Sequence, residues 1–328
     1  MNNRFGTKLR IEIFGASHAP QTGIVVEGIP AGIELTEADF EHDLSARRAG
    51  AAGTTPRREE DRPEIGGVEN GRTTGAPVTI TFRNENTRSG DYSAFGSHPR
   101  PSHADIVARL KYGADFDLRG GGIFSGRMTV ALVAAGVIAK KILPQQTVFA
   151  SEIIEIGGCR DKAAFKTIID EAAAAGDSAG GVVECRVEGL QAGLGEPFFD
   201  SVESVTAHLL FSIPAVKGVE FGSGFEGVKL RGSERNDLII DAKGTTATNN
   251  EGGINGGITN GNPLVARVAI KPAASIAIPQ QTFNFGHNSI EPLTIGGRHD
   301  SCIALRARIV VEAAVAIALA DLYLQQQL

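Results

Sequence analysis

The chain has 328 residues, of which 42% are apolar, and it carries a formal charge of −6 at neutral pH. A chain of this length can bury a substantial core, and its negative charge argues against a nucleic-acid-binding protein, because a phosphate backbone demands a positive protein surface. Cys159, Cys185 and Cys302 are too few and too far apart for a disulfide framework or a four-ligand zinc site.

Neither an export signal nor a membrane segment is expected. The N-terminus is polar, and the longest apolar runs, 130–139 and 309–320, are shorter than a bilayer span. We therefore expect a cytoplasmic protein without a metal site. Because no linker separates one part of the chain from another, we expect residues 1–328 to form a single domain.

The apolar pattern predicts strands and helices along the whole chain. Predicted strands lie at residues 9–14, 23–27, 78–82, 181–187 and 264–270. Predicted helices lie at residues 36 to about 46, 104–112, 128–143, 165–175, 202–211 and 305–324. Thr36 and Asp39 resemble a capping signal for the first helix. The glycines at 120–122 lead into the third, buried helix, and a helix N-terminus behind glycines favours anions.

A short segment occurs twice in the sequence with small changes, once in each half, and we call this repeat the echo. The segment VEGIPAG at 26–32 returns as VEGLQAG at 187–193, each time after a predicted strand and before a predicted helix. The echo predicts a duplicated half. Coincidence between two strand-to-turn segments is the alternative.

Two of the seven histidines, His18 and His103, lie in predicted loops beside small residues. Imidazole titrates near neutral pH and therefore suits protonation of a leaving group or of a reduced cofactor. A structural or exposed loop histidine is the alternative at both positions. Asp300, just before the last predicted helix, either caps that helix or serves as an acid or base.

Eight arginines lie mostly beside Gly, Pro, Ser or Thr, where loops can gather them around a small anion. They are Arg47, Arg48, Arg57, Arg58, Arg100, Arg119, Arg127 and Arg298. Solvated surface arginines are the alternative. The Asn/Gly-rich segment 248–261 predicts a specialised loop, but neither the phosphate-loop pattern nor the dinucleotide fingerprint occurs in its required context.

Taken together, these segments resemble the chorismate synthase family, in the same order and over nearly the whole chain. The matching segments are residues 14–18, 26–32, 100–105, 119–122 with Ser125 and Arg127, 195–197, 214–222, 248–261, 271–272 and 298–300. The resemblance implies an α+β fold, a β-α-β sandwich assembled as a homotetramer.

The resemblance also implies a reaction. The family binds reduced FMN and 5-enolpyruvylshikimate 3-phosphate, eliminates phosphate and a C6 hydrogen in a 1,4-anti sense, and releases chorismate. There is no net redox change, an external reductant keeps the flavin reduced, and NADP is associated with the family.

By motif, the resemblance implies a role for each matched residue. His18 protonates the departing phosphate, His103 is an acid toward the reduced flavin, and Asp300 assists proton removal through flavin N5. The implied substrate-binding residues are Ser17, Arg47, Arg48 and Arg127. The implied flavin contacts are Ile123, Phe124, Ser125, Pro214, Ala215, Gly256, Lys271, Pro272, Ala273, Ala274, Ser275 and Arg298.

The chain departs from the family pattern at several positions near these motifs. A carboxylate beside the first histidine is replaced by Ala16, and other family residues are replaced by Gly53, Ser102, Ile123, Phe124 and Met128. These losses leave two alternatives to an active chorismate synthase. One is a diverged FMN-binding paralogue acting on another anionic substrate, and the other is a non-catalytic protein that keeps the fold.

Overall fold

The computed structural model describes residues 3–48, 50, 53–55, 57, 59–86, 95–297 and 299–327. The helices are α1 (Ala38–Arg47), α2 (Asp105–Tyr112), α3 (Thr129–Ile142), α4 (Phe165–Ala174), α5 (Val202–Ser212), α6 (Gly224–Gly227), α7 (Gly232–Arg235) and α8 (Ala304–Gln326). The strands are β1 (Arg4–Phe5), β2 (Arg10–Gly15), β3 (Gln21–Glu27), β4 (Glu64–Gly66), β5 (Val68–Glu69), β6 (Arg72–Thr73), β7 (Val78–Arg83), β8 (Val148–Ile156), β9 (Gly181–Glu188), β10 (Val216–Phe221), β11 (Ile254–Asn255), β12 (Ile258–Thr259), β13 (Leu264–Ile270), β14 (Gln280–Asn284) and β15 (Ser289–Leu293).

Two antiparallel sheets enclose a layer of helices. The first sheet has the order β1-β2-β3-β7-β4, and the second has the order β10-β13-β9-β8. Helix α3 packs on the first sheet, α8 packs on the second, and the two helices pack against each other. Both helices are rich in Ala, Val, Ile and Leu and are buried on nearly all sides, because each faces a sheet and another helix. The expected β-α-β sandwich of an α+β protein is confirmed.

The two echo segments occupy equivalent places in the two sheets. Gly28 follows β3 and Gly189 follows β9, with φ angles of 81° and 72°. A Cβ at Gly28 would lie 1.8 Å from the Lys8 carbonyl oxygen, and one at Gly189 would lie 2.0 Å from that of Gln146. Lys8 and Gln146 each precede the strand that pairs with the echo strand. Only glycine fits either position, which is why both glycines recur.

Each half also has a buried threonine at an equivalent place. The backbone N–H of Gly32 donates to the Thr73 carbonyl at 2.7 Å, and the N–H of the next residue donates to Thr73 Oγ1 at 3.0 Å. In the other half, Gly193 and the residue after it make the same two bonds to Thr259, at 2.8 and 2.9 Å. These matched hydrogen bonds show that the echo marks a structurally duplicated half.

The predicted elements are all present, and their ends differ from the prediction by at most two residues. The capping signal is half correct, because the Asp39 carboxylate accepts from the Thr36 N–H at 2.7 Å, while α1 itself has no side-chain cap. Strands β8 and β10 and the β14–β15 hairpin were not predicted. Within the described part of the chain, no helix combines the length and apolar character needed to cross a bilayer.

Candidate active site

A cavity of about 650 Å³ opens between the two halves of the molecule. Its described lining carries eight Lys and Arg side chains against three Asp and Glu side chains, so its surface attracts anions. The lining cations are Arg47, Arg48, Arg57, Arg100, Arg127, Lys217, Lys271 and Arg306, and the anions are Glu59, Asp61 and Asp300.

His103 is held by a buried carboxylate at the edge of this cavity. Asp105 begins α2, where the helix N-terminus favours a negative charge, and its Oδ1 lies 2.6 Å from His103 Nδ1. Arg100 donates to both Asp105 oxygens, at 2.8 Å from Nε and 2.7 Å from Nη2. Burial alone would raise the pKa of Asp105, but Arg100 and His103 outweigh burial and lower it strongly.

This arrangement fixes the tautomer of His103. An ionised carboxylate only accepts hydrogen bonds, so at 2.6 Å the Nδ1 of His103 carries the proton that Asp105 Oδ1 accepts. Arg100 Nη2 also lies 3.0 Å from this nitrogen, but its shorter hydrogen bond, at 2.7 Å, goes to Asp105 Oδ1. The other ring nitrogen, Nε2, is thereby the one that exchanges a proton with a ligand. A carboxylate behind an imidazole orients the ring.

His18 lies directly behind Gly120, a glycine that lines the cavity. A Cβ at Gly120 would lie 2.0 Å from His18 Nδ1, so only glycine allows this contact, and its φ of 60° also favours glycine. The Asn84 amide donates to the carbonyls of Ala16 and Ala19, at 3.0 and 2.7 Å, and so closes the turn on either side of His18. The turn is therefore held without the carboxylate that Ala16 replaces.

Ser17 is buried beside His18 and is bound by an arginine. Arg57 Nη1 donates to Ser17 Oγ at 3.1 Å, and Arg57 itself pairs with Glu59 at 2.6 Å. Arg57 lines the cavity, so it connects the Ser17–His18 turn to the cavity wall.

Arg47 and Arg127 are joined by Asp61 in the wall of the cavity. Asp61 Oδ2 accepts from Arg47 Nη1 at 3.0 Å, and its Oδ1 accepts from Arg127 Nη1. Arg47 also donates to Thr129 Oγ1 at 3.1 Å, and Arg127 Nε donates to Asn84 Oδ1 at 2.9 Å. Burial lowers the pKa of Arg47, while the Asp61 carboxylate opposes that shift. Both arginines direct most of their hydrogen bonds to acceptors within the protein. They therefore contribute mainly a fixed positive charge to the cavity wall.

Asp300 lines the cavity near Arg47. Its Oδ1 accepts from the Thr55 N–H at 2.9 Å, and Arg306 Nη1 lies 3.2 Å from its Oδ2. Arg306 Nε also donates to the Arg47 carbonyl at 3.0 Å. Helix α8 has no side-chain cap, so the prediction that Asp300 caps it is wrong. The carboxylate instead tethers the loop at Thr55 and lines the cavity.

A largely apolar wall faces the arginines. The lining segments are 123–125, 211–217 and 271–275, which bring together Ile123, Phe124, Ser125, Pro214, Ala215, Lys271, Pro272, Ala273, Ala274 and Ser275. Ser275 Oγ accepts from Arg100 Nη1 at 3.0 Å, which links this wall to the His103 pair. Lys271 Nζ donates to the Ser102 carbonyl at 2.7 Å.

Not every matched residue reaches the cavity. Ser17 and His18 lie behind Gly120, and Gly256 lies in the β11–β12 turn outside the lining. Arg48 lines the cavity but pairs with Glu41 at 2.8 Å. Arg119 pairs with Asp117 on the surface, outside the cavity lining. Arg298 lies outside the described residues.

The departures from the family pattern have local structural reasons. Gly53 has a φ of 86°, and a Cβ there would lie 2.3 Å from Ile169 Cγ2, so a long side chain does not fit this backbone. Met128 is buried and its Sδ accepts from Thr22 Oγ1 at 3.4 Å. Ser102 has a φ of 57°, the left-handed conformation for which glycine is the usual residue.

Several site residues were missed by sequence reasoning. Arg306 lies in the first turn of α8, a largely apolar helix, and a charge at that place was the available signal. Asp61 and Asn84 lie beside arginines or strand ends but in no recognised motif. His299 lines the cavity, its Nε2 lies 3.0 Å from the Gly296 carbonyl, and burial lowers its pKa, which favours the neutral ring.

Comparisons with known proteins agree on one family. A profile of the family described as chorismate synthase matches residues 9–324. The chain is 56% identical over 326 residues to the chorismate synthase of Chitinophaga pinensis, covering 99% of this chain and 97% of that protein. It is 44% identical to that of Korarchaeum cryptofilum, covering 97% and 96% of the two chains. A crystal structure of chorismate synthase matches with a TM-score of 0.75 and 29% identity, covering 98% of this chain and 93% of that chain.

Proposed function

The chain belongs to the chorismate synthase family, and on that premise we propose how its own residues carry out the family's reaction. The activity is that of chorismate synthase, a lyase of the shikimate pathway and of aromatic amino acid biosynthesis. The family acts on 5-enolpyruvylshikimate 3-phosphate and uses a flavin. The finer assignment is that the flavin is reduced FMN, kept reduced by an external reductant, in the cytoplasm.

One observation carries this assignment: the buried Asp105–His103 pair faces a cavity with a cationic wall and a largely apolar wall. A volume of about 650 Å³ lies within the range of small-molecule sites. The apolar wall at 211–216 and 272–274 suits a planar ring system, and the opposing cations suit phosphate and carboxylate groups. The residues present therefore fit a flavin mononucleotide beside an anionic substrate.

When bound, the reduced flavin supplies electron density transiently, without net redox change. Ile123, Pro214 and Ala215 exclude water from the apolar wall, and Lys271 with Arg100 provides positive charge at its edge. Fixed cations in a water-poor site stabilise developing negative charge far better than water does. His103 holds a proton at Nδ1 through Asp105 and exchanges one at Nε2.

Two further residues complete the proton transfers. His18 is assigned the proton for the departing phosphate oxygen, and the Arg57–Ser17 contact keeps its turn beside the cavity wall. Asp300 is assigned assistance in removing the proton from the substrate carbon, and Arg306 holds that carboxylate in place. Arg47 and Arg127, held by Asp61, supply the positive wall for the leaving group.

A homotetramer is part of the proposal. Phe198 and Phe199 are 86% and 91% exposed, and Phe225 and Ile239 are exposed as well. Exposed apolar side chains of this size mark surfaces that other proteins cover. The β11–β12 turn with Gly256 also lies outside the cavity of its own chain. In a tetramer, Gly256 instead contacts the flavin bound in the cavity of a neighbouring copy.

The test is an anaerobic assay with chemically reduced FMN and 5-enolpyruvylshikimate 3-phosphate, following chorismate and phosphate together. We expect equal amounts of both products from the wild type. His18→Ala and His103→Ala should each lower kcat by about a hundredfold or more, because each removes a general acid.

His287→Ala is the control, since His287 is exposed on the β14–β15 hairpin away from the cavity. It should keep wild-type turnover. FMN binding by the wild type without any product would contradict the synthase assignment and favour a different anionic substrate. Full activity of His103→Ala would overturn its assigned role.

A further inference from the structure

Strand β10 begins with a bulge that singles out Lys217. In the pairing of β10 with β13, Val216 lies opposite Ile270 and Gly218 lies opposite Ala269, so Lys217 is an extra residue without a cross-strand partner. A bulge re-aims the side chain of the extra residue, and bulges are frequent beside active sites. Lys217 lines the cavity, which is where this bulge directs it.

The backbone before the bulge is strained in a way that fixes a second lysine. Ala215 has a φ of 74°, a left-handed conformation that costs a non-glycine residue roughly 1 kcal/mol. Its carbonyl accepts from the Lys271 N–H at 3.0 Å. This hydrogen bond holds the strained turn at Ala215 and also fixes the position of the Lys271 backbone at the end of β13.

The two lysines place like charges in one part of the cavity. Lys271 Nζ donates to the Ser102 carbonyl, and in the described part of the chain neither lysine forms an ion pair with a carboxylate. Burial lowers the pKa of Lys271, and the nearby charge of Lys217 lowers it further. Two ammonium groups that repel each other in a cavity are stabilised when a dianion binds between them.

We propose that Lys217 is a phosphate-binding residue which, with Lys271, holds the phosphate monoester of a bound ligand at this end of the cavity. This inference rests on the proposed function, because that function brings two phosphate monoesters to the cavity. One is the phosphate of FMN and the other is the 3-phosphate of the substrate. A monoester phosphate carries nearly two charges at neutral pH and offers acceptor oxygens to both lysines.

The experiment compares ligands with and without the phosphate. Dissociation constants for FMN and for riboflavin are measured by quenching of flavin fluorescence, and that for 5-enolpyruvylshikimate 3-phosphate is measured by calorimetry. The proteins are the wild type, Lys217→Met, Lys217→Arg and, as a matched control, Lys243→Met. Lys243 is exposed and lies outside the cavity lining.

Loss of a charged contact to phosphate should weaken binding by roughly tenfold or more. If the phosphate is that of FMN, Lys217→Met weakens FMN binding but leaves riboflavin binding unchanged. If it is that of the substrate, only substrate binding weakens. In either case Lys217→Arg restores most of the affinity, and Lys243→Met matches the wild type.

Unchanged affinity of Lys217→Met for both phosphate ligands, within twofold, would overturn the inference. An equal loss for FMN and riboflavin would overturn it as well, since that outcome shows a contact to the ring or a local structural change. A wild type that binds neither ligand would instead refute the proposed function, and the phosphate assignment with it. Circular-dichroism melts of each variant show whether the fold is retained.

Discussion

At the scale of single residues, the site depends on groups that hold a neighbour in place. Asp105 sets the tautomer of His103, and Asn84 closes the turn around His18 while also binding Arg127. Neither residue is titrated or consumed in the proposed chemistry. Their contribution is to keep reactive side chains within reach of a ligand, where displacements of about an ångström cost large factors in rate.

Gly120→Ala tests this dependence. The new Cβ would lie 2.0 Å from His18 Nδ1 and 2.8 Å from Ser17 Oγ, so the imidazole must move. We expect a stability loss of only about 1–2 kcal/mol, from alanine in a left-handed conformation. Turnover should fall by roughly a hundredfold, because a misplaced general acid loses most of its effect. Chemical denaturation and the anaerobic product assay measure the two quantities.

Gly75→Ala is the matched control for that variant. Gly75 also has a positive φ, of 90°, but a Cβ there meets no atom within 4 Å. It should show a similar loss of stability with unchanged turnover. Equal turnover in the two variants would refute the view that Gly120 positions His18.

At the scale of elements, the sequence predicted those with a strong apolar period or a local signal. Helix α8 and strand β13 were predicted closely, because both are long apolar runs. Strand β8 was missed because its alternating burial includes Ser151 and Glu152, which read as loop residues in isolation. The β14–β15 hairpin packs on its own small core of Phe95, Leu293 and Ile295. Phe95 is far from the hairpin in sequence, so no local pattern predicts this contact.

The site shows the same division. His18, His103 and Asp300 were predicted because they lie in recognisable motifs. Asp61 and Arg306 were not, because their roles arise from partners such as Arg47, which only the folded chain brings close. Local sequence identifies which groups carry chemistry, whereas long-range packing decides which groups restrain them.

The β5–β6 hairpin, which contains Thr73, and the β11–β12 hairpin, which contains Thr259, occupy equivalent places in the two halves and allow a paired prediction. Thr73→Val and Thr259→Val each keep the side-chain shape but remove a hydroxyl that accepts from a backbone N–H and donates to a carbonyl. Because both sites are buried, each loss should destabilise the fold by about 1–3 kcal/mol. If the halves are equivalent in energy as well as geometry, the two losses agree within about 0.5 kcal/mol.

Thr167→Val provides the comparison, since Thr167 is exposed on α4. Its effect on the free energy of unfolding in urea should stay within about 0.5 kcal/mol. A large loss at Thr73 with none at Thr259 would show that the second hairpin no longer contributes to stability.

At the scale of the whole molecule, the two halves meet through charges as well as through the helix layer. Lys140 of α3 lies 2.6 Å from Asp43 of α1 and 2.6 Å from Glu312 of α8, and Glu312 also accepts from Ser151 of β8 at 2.5 Å. The same helices carry Arg47 and Arg306 to the cavity wall. Stability of this junction and geometry of the site are therefore linked.

The pH dependence of this cluster follows from its pKa shifts. Burial alone would raise the pKa of Asp43, but Lys140 outweighs it and the pKa is lowered, so its contribution is present above about pH 4 and is lost as pH falls. Burial alone would lower the pKa of Lys140, but Glu312 and Asp43 raise it, so its contribution is present below about pH 10 and is lost as pH rises. The cluster stabilises the fold fully between roughly pH 5 and 9.

Lys140→Met removes the shared cation and leaves two carboxylates facing each other in a largely buried site. We expect a loss of about 3 kcal/mol at pH 7, because an uncompensated buried charge is costly. The loss should shrink as pH falls to 4, because the Asp43 carboxyl begins to take up a proton and the repulsion between the two groups weakens. Lys162→Met, which breaks the exposed pair with Glu152, should cost less than about 1 kcal/mol at either pH. Urea unfolding of the two variants at pH 7 and pH 4 measures these losses. If the loss for Lys140→Met does not change with pH, then packing of the lysine stem, rather than its charge, joins the two halves.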